Sequence, residues 1–203
     1  MTKVKICGLM EKEHIRAAVD AGVDAVGFVF APSRRRVTVE QARELASEVP
    51  SHVLKIGVFV NATQKDLLYA FREVPLDYVQ YHGEETDDFI QKISLPSIKV
   101  VSVRGDEEIK KTTCFKSDYV LFDTPGIDFR GGSGKTFDWS VIEDIPIKNR
   151  LILAGGLHTG NVLQAIRQVN PYMVDVSSGV EVNRRKDTNL IREFIKTVKE
   201  QER

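Results

Sequence analysis

The sequence predicts an α/β protein built as a single (β/α)8 TIM barrel, one domain over residues 1–203. Three observations carry that expectation. Short runs rich in Val, Ile and Phe alternate with charged stretches of helical period. Eight such runs occur, the count that closes a parallel barrel. Polar residues and glycines gather just beyond the ends of the runs, where barrels of this kind carry their sites.

The runs are Val4 to Cys7, Ala25 to Phe30, Leu54 to Val60, Tyr78 to His82, Ile98 to Val103, Tyr119 to Asp123, Leu151 to Ala154 and Met173 to Ser177. Most are apolar at successive positions, as strands are when both faces are buried. Between them, Glu11 to Ala21 places Ile15, Ala18 and Val19 on one helical face. Thr38 to Val49 opens with a threonine cap and Gln41 three residues on, a capping box. Thr63 to Glu73 has the cap with Asp66 in place of Glu or Gln, and Leu67, Leu68 and Phe71 form its apolar stripe. Glu85 to Ile93, Asp106 to Cys114, Trp139 to Glu143, Thr159 to Val169 and Thr188 to Glu200 complete the set; the second and third of these are short, and Thr112-Thr113 favours helix poorly. The alternation also suits an open doubly wound sheet. The count of eight and a length of 203 residues, at the low end for a barrel, favour closure and leave little room for an inserted domain.

Hydrophobic residues make up 42% of the chain and charged residues 29%, the balance of a globular protein. The 29 basic and 29 acidic side chains cancel, so no global field attracts nucleic acid or an anionic membrane. No apolar run approaches the roughly 20 residues of a membrane span, and the N-terminus shows no signal-peptide pattern. The two cysteines, Cys7 and Cys114, match no metal-ligand spacing and suit a reducing, cytoplasmic setting.

The strand ends carry the candidate chemistry. Gly155-Gly156 after the seventh run and Ser178-Gly179 after the eighth read as a phosphate cradle, because glycine lets backbone amides approach an anion. Gly131 to Thr136 is no P-loop: the G-x-x-x-x-G-K pattern needs glycine where Phe129 stands. It reads instead as a lid closing over substrate. Cys7 ends the first strand and is a candidate base or nucleophile if its setting is electropositive. Asp123 ends an apolar strand, where desolvation would raise its pKa enough to carry a proton near neutrality. An acid and a base from different strands suit an isomerase. Asp175 either holds substrate hydroxyls at the mouth or pairs with a buried lysine such as Lys5 or Lys99. One arginine of Arg34-Arg35-Arg36 could grip a carboxylate, the others lying on the solvated surface. His82 is either a catalytic group or a hydrogen-bonding wall at the rim. Cys114, among Lys110, Lys111 and Lys116, has a structural or incidental role.

Taken together, Val4-Lys-Ile-Cys7-Gly8, Pro32-Ser-Arg-Arg-Arg36, Gly57-Val-Phe-Val-Asn61, Val79-Gln-Tyr-His82-Gly-Glu84, Gly131-Gly-Ser-Gly-Lys-Thr-Phe-Asp-Trp139, Leu153-Ala-Gly-Gly-Leu157 and Val174-Asp-Val-Ser-Ser-Gly-Val-Glu181 resemble the phosphoribosylanthranilate isomerase family along the whole chain. The resemblance implies a cofactor-free and metal-free Amadori rearrangement of N-(5-phosphoribosyl)anthranilate to 1-(2-carboxyphenylamino)-1-deoxyribulose 5-phosphate in tryptophan biosynthesis. It implies Asp123 as general acid and Cys7 as general base. Arg36 would hold the anthranilate carboxylate, Asp175 and His82 would bind substrate, and Gly155, Gly156, Ser178 and Gly179 would take the phosphate. The partner is then a small phosphosugar, with the chain acting as monomer or homodimer. The related isomerase of histidine biosynthesis differs from this pattern, with a carboxylate base on strand one and a substrate bearing two phosphates. A non-catalytic phosphate binder would need neither Cys7 nor Asp123.

Overall fold

The computed structural model describes residues 1–102, 115–123, 139–143 and 145–200. Eight parallel strands close a barrel in sequence order, with the last returning to pair with the first. They are β1 (Lys3–Cys7), β2 (Ala25–Val29), β3 (Leu54–Phe59), β4 (Tyr78–Tyr81), β5 (Ser97–Ser102), β6 (Tyr119–Asp123), β7 (Leu151–Leu153) and β8 (Met173–Val176). All eight predicted strands form. Among the described residues the α-helices are α1 (Lys12–Asp20), α2 (Val39–Ala46), α3 (Gln64–Glu73), α4 (Asp87–Ile93), α5 (Val162–Val169) and α6 (Thr188–Glu200). A two-stranded hairpin, β9 (Glu181–Val182) with β10 (Arg185–Lys186), follows β8. No helix among the described residues is long and apolar enough to cross a membrane.

The unbroken apolar runs have a simple cause. Alternate strand residues enter two separate cores. Ala25, Ile56, Ile98, Val100, Leu121, Ile152 and Met173 fill the barrel interior. Val4, Ile6, Phe28, Val79, Tyr81, Phe122 and Val174 face outward and are buried with Ile15, Leu67, Ile166, Ile191 and Phe194 of the helices. Neither strand face meets water, so neither needs polar residues.

The helix starts follow their caps. Thr38 accepts from the Gln41 amide and Gln41 returns a bond to the Thr38 amide, the capping box read from the sequence. Thr63 caps α3 through the Asp66 amide. The fourth helix starts later than predicted, at Asp87, because Thr86 is the cap, accepting from the Phe89 amide, while Glu85 accepts the amides of Asn61 and Gly83. The segment from Trp139 makes a 3-10 turn ending at Ile142 in place of an α-helix. The predicted helix Asp106 to Cys114 lies outside the described residues.

The N-terminal face of the barrel is fastened by a repeated device. Asp24, Asp77 and Asp118 each stand immediately before an even-numbered strand. Each carboxylate accepts the amide of a residue at or near the start of the preceding strand: Val4 (2.7 Å), Lys55 (2.7 Å) and Ser97 (2.8 Å). Three tyrosines close the floor, with Tyr119 stacked on Tyr172 at 4.9 Å and edge-on to Tyr78 at 5.6 Å. An amide left without its carboxylate costs on the order of 1–3 kcal/mol. Asp118→Ala is therefore expected to lower the unfolding free energy by about 2 kcal/mol, read from urea midpoints. Full turnover at saturating substrate is expected to persist, because the change lies at the end of the barrel remote from the mouth.

Candidate active site

The mouth of the barrel is built from the C-terminal strand ends. Cys7 closes β1 and is nearly buried. The amides of Gly8 and Leu9 both donate to the Gly27 carbonyl (2.9 and 3.2 Å), which turns the chain away directly after the thiol. Gly8 takes φ 78°, a conformation that favours glycine. Gly27, opposite Cys7 on β2, leaves room for the sulfur: a Cβ there would stand 2.9 Å from Cys7 Sγ and 3.2 Å from Lys5 Nζ.

Lys5 and Asp175 face each other in register across the β1–β8 seam. Their ion pair measures 2.9 Å, and the lysine is wholly enclosed. Burial works against the ammonium, but Asp175, with a smaller contribution from Cys7, outweighs it and holds Lys5 above the ordinary lysine value. Asp175 Oδ1 is buried and takes no hydrogen bond from a described residue. Both alternatives read for this aspartate are thus open to it at once: Oδ2 pairs with the buried lysine while Oδ1 can accept from a ligand. For Cys7, burial pushes the thiol above its usual value. Lys5 and Lys186 oppose that shift, and Asp175 adds to it.

Asp123 ends β6, three strands away from β1 through β8 and β7. It is buried, and His82 Nε2 lies 3.6 Å from its Oδ2. His82 follows β4, its amide bonded to the Phe59 carbonyl (2.8 Å). The structure therefore brings His82 to Asp123 and sets Cys7 with Lys5 and Asp175 on another part of the rim.

The three arginines divide differently from expectation. Arg34 and Arg35 are not simply solvated, because both bind Glu181, at 2.5 Å and 2.6 Å. Arg36 sits on the chain that returns beside the end of β2, bridged to Val29, and is exposed. Its guanidinium makes no ion pair with a described residue, so it is the member of the trio left for a ligand.

The loops after β7 and β8 pack as one unit. Gly155 and Gly156 have φ 88° and 64°. Asn161 holds the first loop, donating to the Gly156 carbonyl (3.0 Å) and accepting from the His158 amide (2.8 Å). Ser178 and Gly179 form a 3-10 turn against that loop, so tight that a Cβ on Gly179 would stand 1.9 Å from the Leu157 carbonyl oxygen. Backbone, not side chain, must line this corner, which is what an anion cradle requires.

Residues absent from the sequence reading also belong to the rim. Glu181 and Lys186 pair at 2.8 Å beneath the β9–β10 hairpin. Glu85 is buried, accepts the amides of Asn61 (2.6 Å) and Gly83 (2.9 Å), and pairs with Lys99 at 3.2 Å. The signal for the hairpin was local: Asn183-Arg184 between Glu181–Val182 and Arg185–Lys186 is a two-residue turn. Glu85 carried no such signal. The Gly131 to Thr136 segment and Cys114 lie outside the described residues.

Comparison with known proteins agrees with this architecture. The family model for N-(5'-phosphoribosyl)anthranilate (PRA) isomerase matches residues 4–197. The N-(5'-phosphoribosyl)anthranilate isomerase of Listeria welshimeri is 48% identical over 197 residues, covering 97% of this chain and 98% of its own. The crystal structure of phosphoribosyl anthranilate isomerase from Thermotoga maritima superposes with a TM-score of 0.90 at 42% identity, over 98% of this chain and 100% of its own. A structure of such an isomerase in complex with reduced 1-(o-carboxyphenylamino)-1-deoxyribulose 5-phosphate superposes with a TM-score of 0.86 at 39% identity, over the same shares of the two chains. The chain, a closed barrel with its candidate site groups at one mouth and matched end to end by these proteins, belongs to the N-(5'-phosphoribosyl)anthranilate isomerase family.

Proposed function

We propose that Cys7 and Asp123 are the base and the acid of the family's reaction, and that the rim residues described above hold its substrate. The protein is an isomerase of tryptophan biosynthesis, converting N-(5'-phosphoribosyl)anthranilate to 1-(o-carboxyphenylamino)-1-deoxyribulose 5-phosphate. The observation that carries the assignment of roles is the separation of the two groups: a thiol flanked by lysines on β1, and a carboxyl beside a histidine on β6. In this reading Asp123 protonates the furanose ring oxygen, the C1′–O bond breaks, and the anilino nitrogen's electron pair forms the Schiff base. Cys7 then removes the proton from C2′, giving an enolamine. Tautomerisation of the enolamine gives the ketone, with no net change in oxidation of the whole molecule. No external reductant or oxidant enters this balance.

The remaining groups serve binding. Asp175 Oδ1 accepts from a sugar hydroxyl, while Lys5 holds its other oxygen at 2.9 Å. His82 orients the Asp123 carboxyl. Gly155, Gly156, Ser178 and Gly179 take the phosphate, and Arg36 takes the anthranilate carboxylate. Apart from the phosphosugar, this reading requires no partner, neither nucleic acid nor membrane. It describes a single-domain cytoplasmic enzyme, monomer or homodimer.

The assay generates the labile substrate from anthranilate and phosphoribosyl pyrophosphate with a separate transferase, then follows its fluorescence as the chain is added. Cys7→Ala and Asp123→Asn are each expected to lower kcat by about a thousandfold, with far-UV circular dichroism unchanged. Retention of most activity in either variant would remove that residue from its role. Arg36→Ala is expected to raise KM about tenfold or more, the loss of a charge-assisted bidentate contact, with kcat little changed. An unchanged KM excludes that contact. Gly179→Ala forces apart the loops after β7 and β8, and is expected to weaken competitive inhibition by inorganic phosphate by about an order of magnitude. An unaltered inhibition constant places the phosphate elsewhere.

A further inference from the structure

The reading above leaves Lys186, an enclosed cation at the rim, without a task. Lys186 lies on β10, the returning strand of the hairpin whose turn residues, Asn183 and Arg184, have φ 50° and 66°. Positive angles at both central residues are those of a tight two-residue hairpin turn. Here the turn carries Lys186 back beneath the end of β8, where its side chain is 3% exposed. Its ammonium donates to the Ser177 carbonyl (2.8 Å), to Ser177 Oγ (3.2 Å) and to Glu181 Oε1 (2.8 Å). Ser177 Oγ donates onward to the Cys7 carbonyl (3.0 Å). A continuous hydrogen-bonded chain thus runs from Lys186 to the end of the strand that holds the thiol.

The charges facing Cys7 can be apportioned. Lys5 stands on the same strand and Asp175 on β8, and these two offset each other at 2.9 Å. Gly27 on β2 brings no charge. Lys186 is different, because its carboxylate is shared. Glu181 also binds Arg34 (2.5 Å) and Arg35 (2.6 and 3.0 Å), so among the described residues three cations meet one anion and a net positive charge is left on this side of the thiol.

We propose that Lys186 is a positioning residue for the reaction, fixing the end of β1 through Ser177 and supplying the positive charge that favours the Cys7 thiolate. The proposal rests on the reading of Cys7 as the base. Burial, opposed by Glu181, pulls Lys186 down to about 8. Its charge is therefore present at neutral pH and is lost as the pH rises above that value.

That titration provides the test. In a Cys114→Ser background, where Cys7 is the sole thiol, alkylation by iodoacetamide reports the thiolate. Lys186→Met is expected to slow alkylation about tenfold at pH 7, the effect of removing one neighbouring charge. The gap from the parent should close near pH 9.5, where the parent has also lost the Lys186 charge. Lys186→Gln keeps a hydrogen-bond donor for Ser177 without the charge and should behave like Lys186→Met. Lys186→Arg should stay near the parent at both pH values. The acid limb of the kcat profile should move to higher pH in the two neutral variants. Equal alkylation rates at pH 7 in folded Lys186→Met or Lys186→Gln protein would overturn the proposal. So would a gap of the same size at both pH values, which is the mark of a structural role alone. Slowed alkylation with an unmoved kcat profile would support the action of Lys186 on the thiol and overturn instead the assignment of Cys7 as base.

Discussion

The rest of the mouth depends on the Lys5–Asp175 ion pair. It bridges β1 and β8, the strands whose pairing closes the barrel, and it does so inside. Taking two charges out of water is unfavourable, and such a pair adds little net stability over well-packed apolar side chains. Breaking it by removing one partner is a different matter, because the survivor is left buried and uncompensated, at a cost of about 3–5 kcal/mol. The pair therefore acts mainly as a constraint. A one-residue slip of β1 against β8 would turn Lys5 out of the barrel and into the apolar layer beneath the helices. Register at the seam, the inward direction of Cys7 and the free oxygen of Asp175 follow from one contact.

The two ends of the barrel divide the remaining work. At the N-terminal end, Asp24, Asp77 and Asp118 fasten successive strand pairs and the tyrosines fill the floor. These contacts are satisfied and offer nothing to a ligand. At the C-terminal end the carboxylates also serve as clamps, as Glu85 does between the loops after β3 and β4 and Glu181 between those after β2 and β8. There, however, certain polar groups are left over among the described residues: Asp175 Oδ1 and the Arg36 guanidinium. A folded chain tolerates such surplus where a ligand completes it.

Most of the architecture was legible in the sequence because a parallel barrel writes itself as doubly buried strands. Residues such as Val120 to Phe122 are apolar at every position, since one core takes Leu121 and the other Val120 and Phe122. The caps at Thr38 and Thr63 were legible because their partners stand three residues away. Thr86 had Phe89 at that spacing, and a backbone amide leaves no trace in a side chain. The aspartate device left a faint signature, Asp before Ala-Val or Tyr-Val at Asp24, Asp77 and Asp118, but its acceptor role concerns amides some 20 residues away in sequence. The candidate site was legible by position, as Cys7, His82, Asp123 and Asp175 all end or adjoin strands. The Glu181 network was not, because its arginines come from the opposite end of the chain and only closure of the barrel brings them together.

The distribution of charge around the rim follows from that same closure. Lys5 with Asp175 and Lys99 with Glu85 are matched pairs. The unmatched cations lie together where the loops after β2 and β8 meet, beside β1. The glycine loops after β7 and β8 open next to them, while Asp123 and His82 stand further round the barrel. For Cys7, burial pushes the thiol up, and the positive charge of Lys5 and Lys186 opposes that shift. Under the roles proposed above, the base would stand beside this excess of charge and the acid apart from it. The order of strands in the barrel sets that excess beside β1 and away from β6.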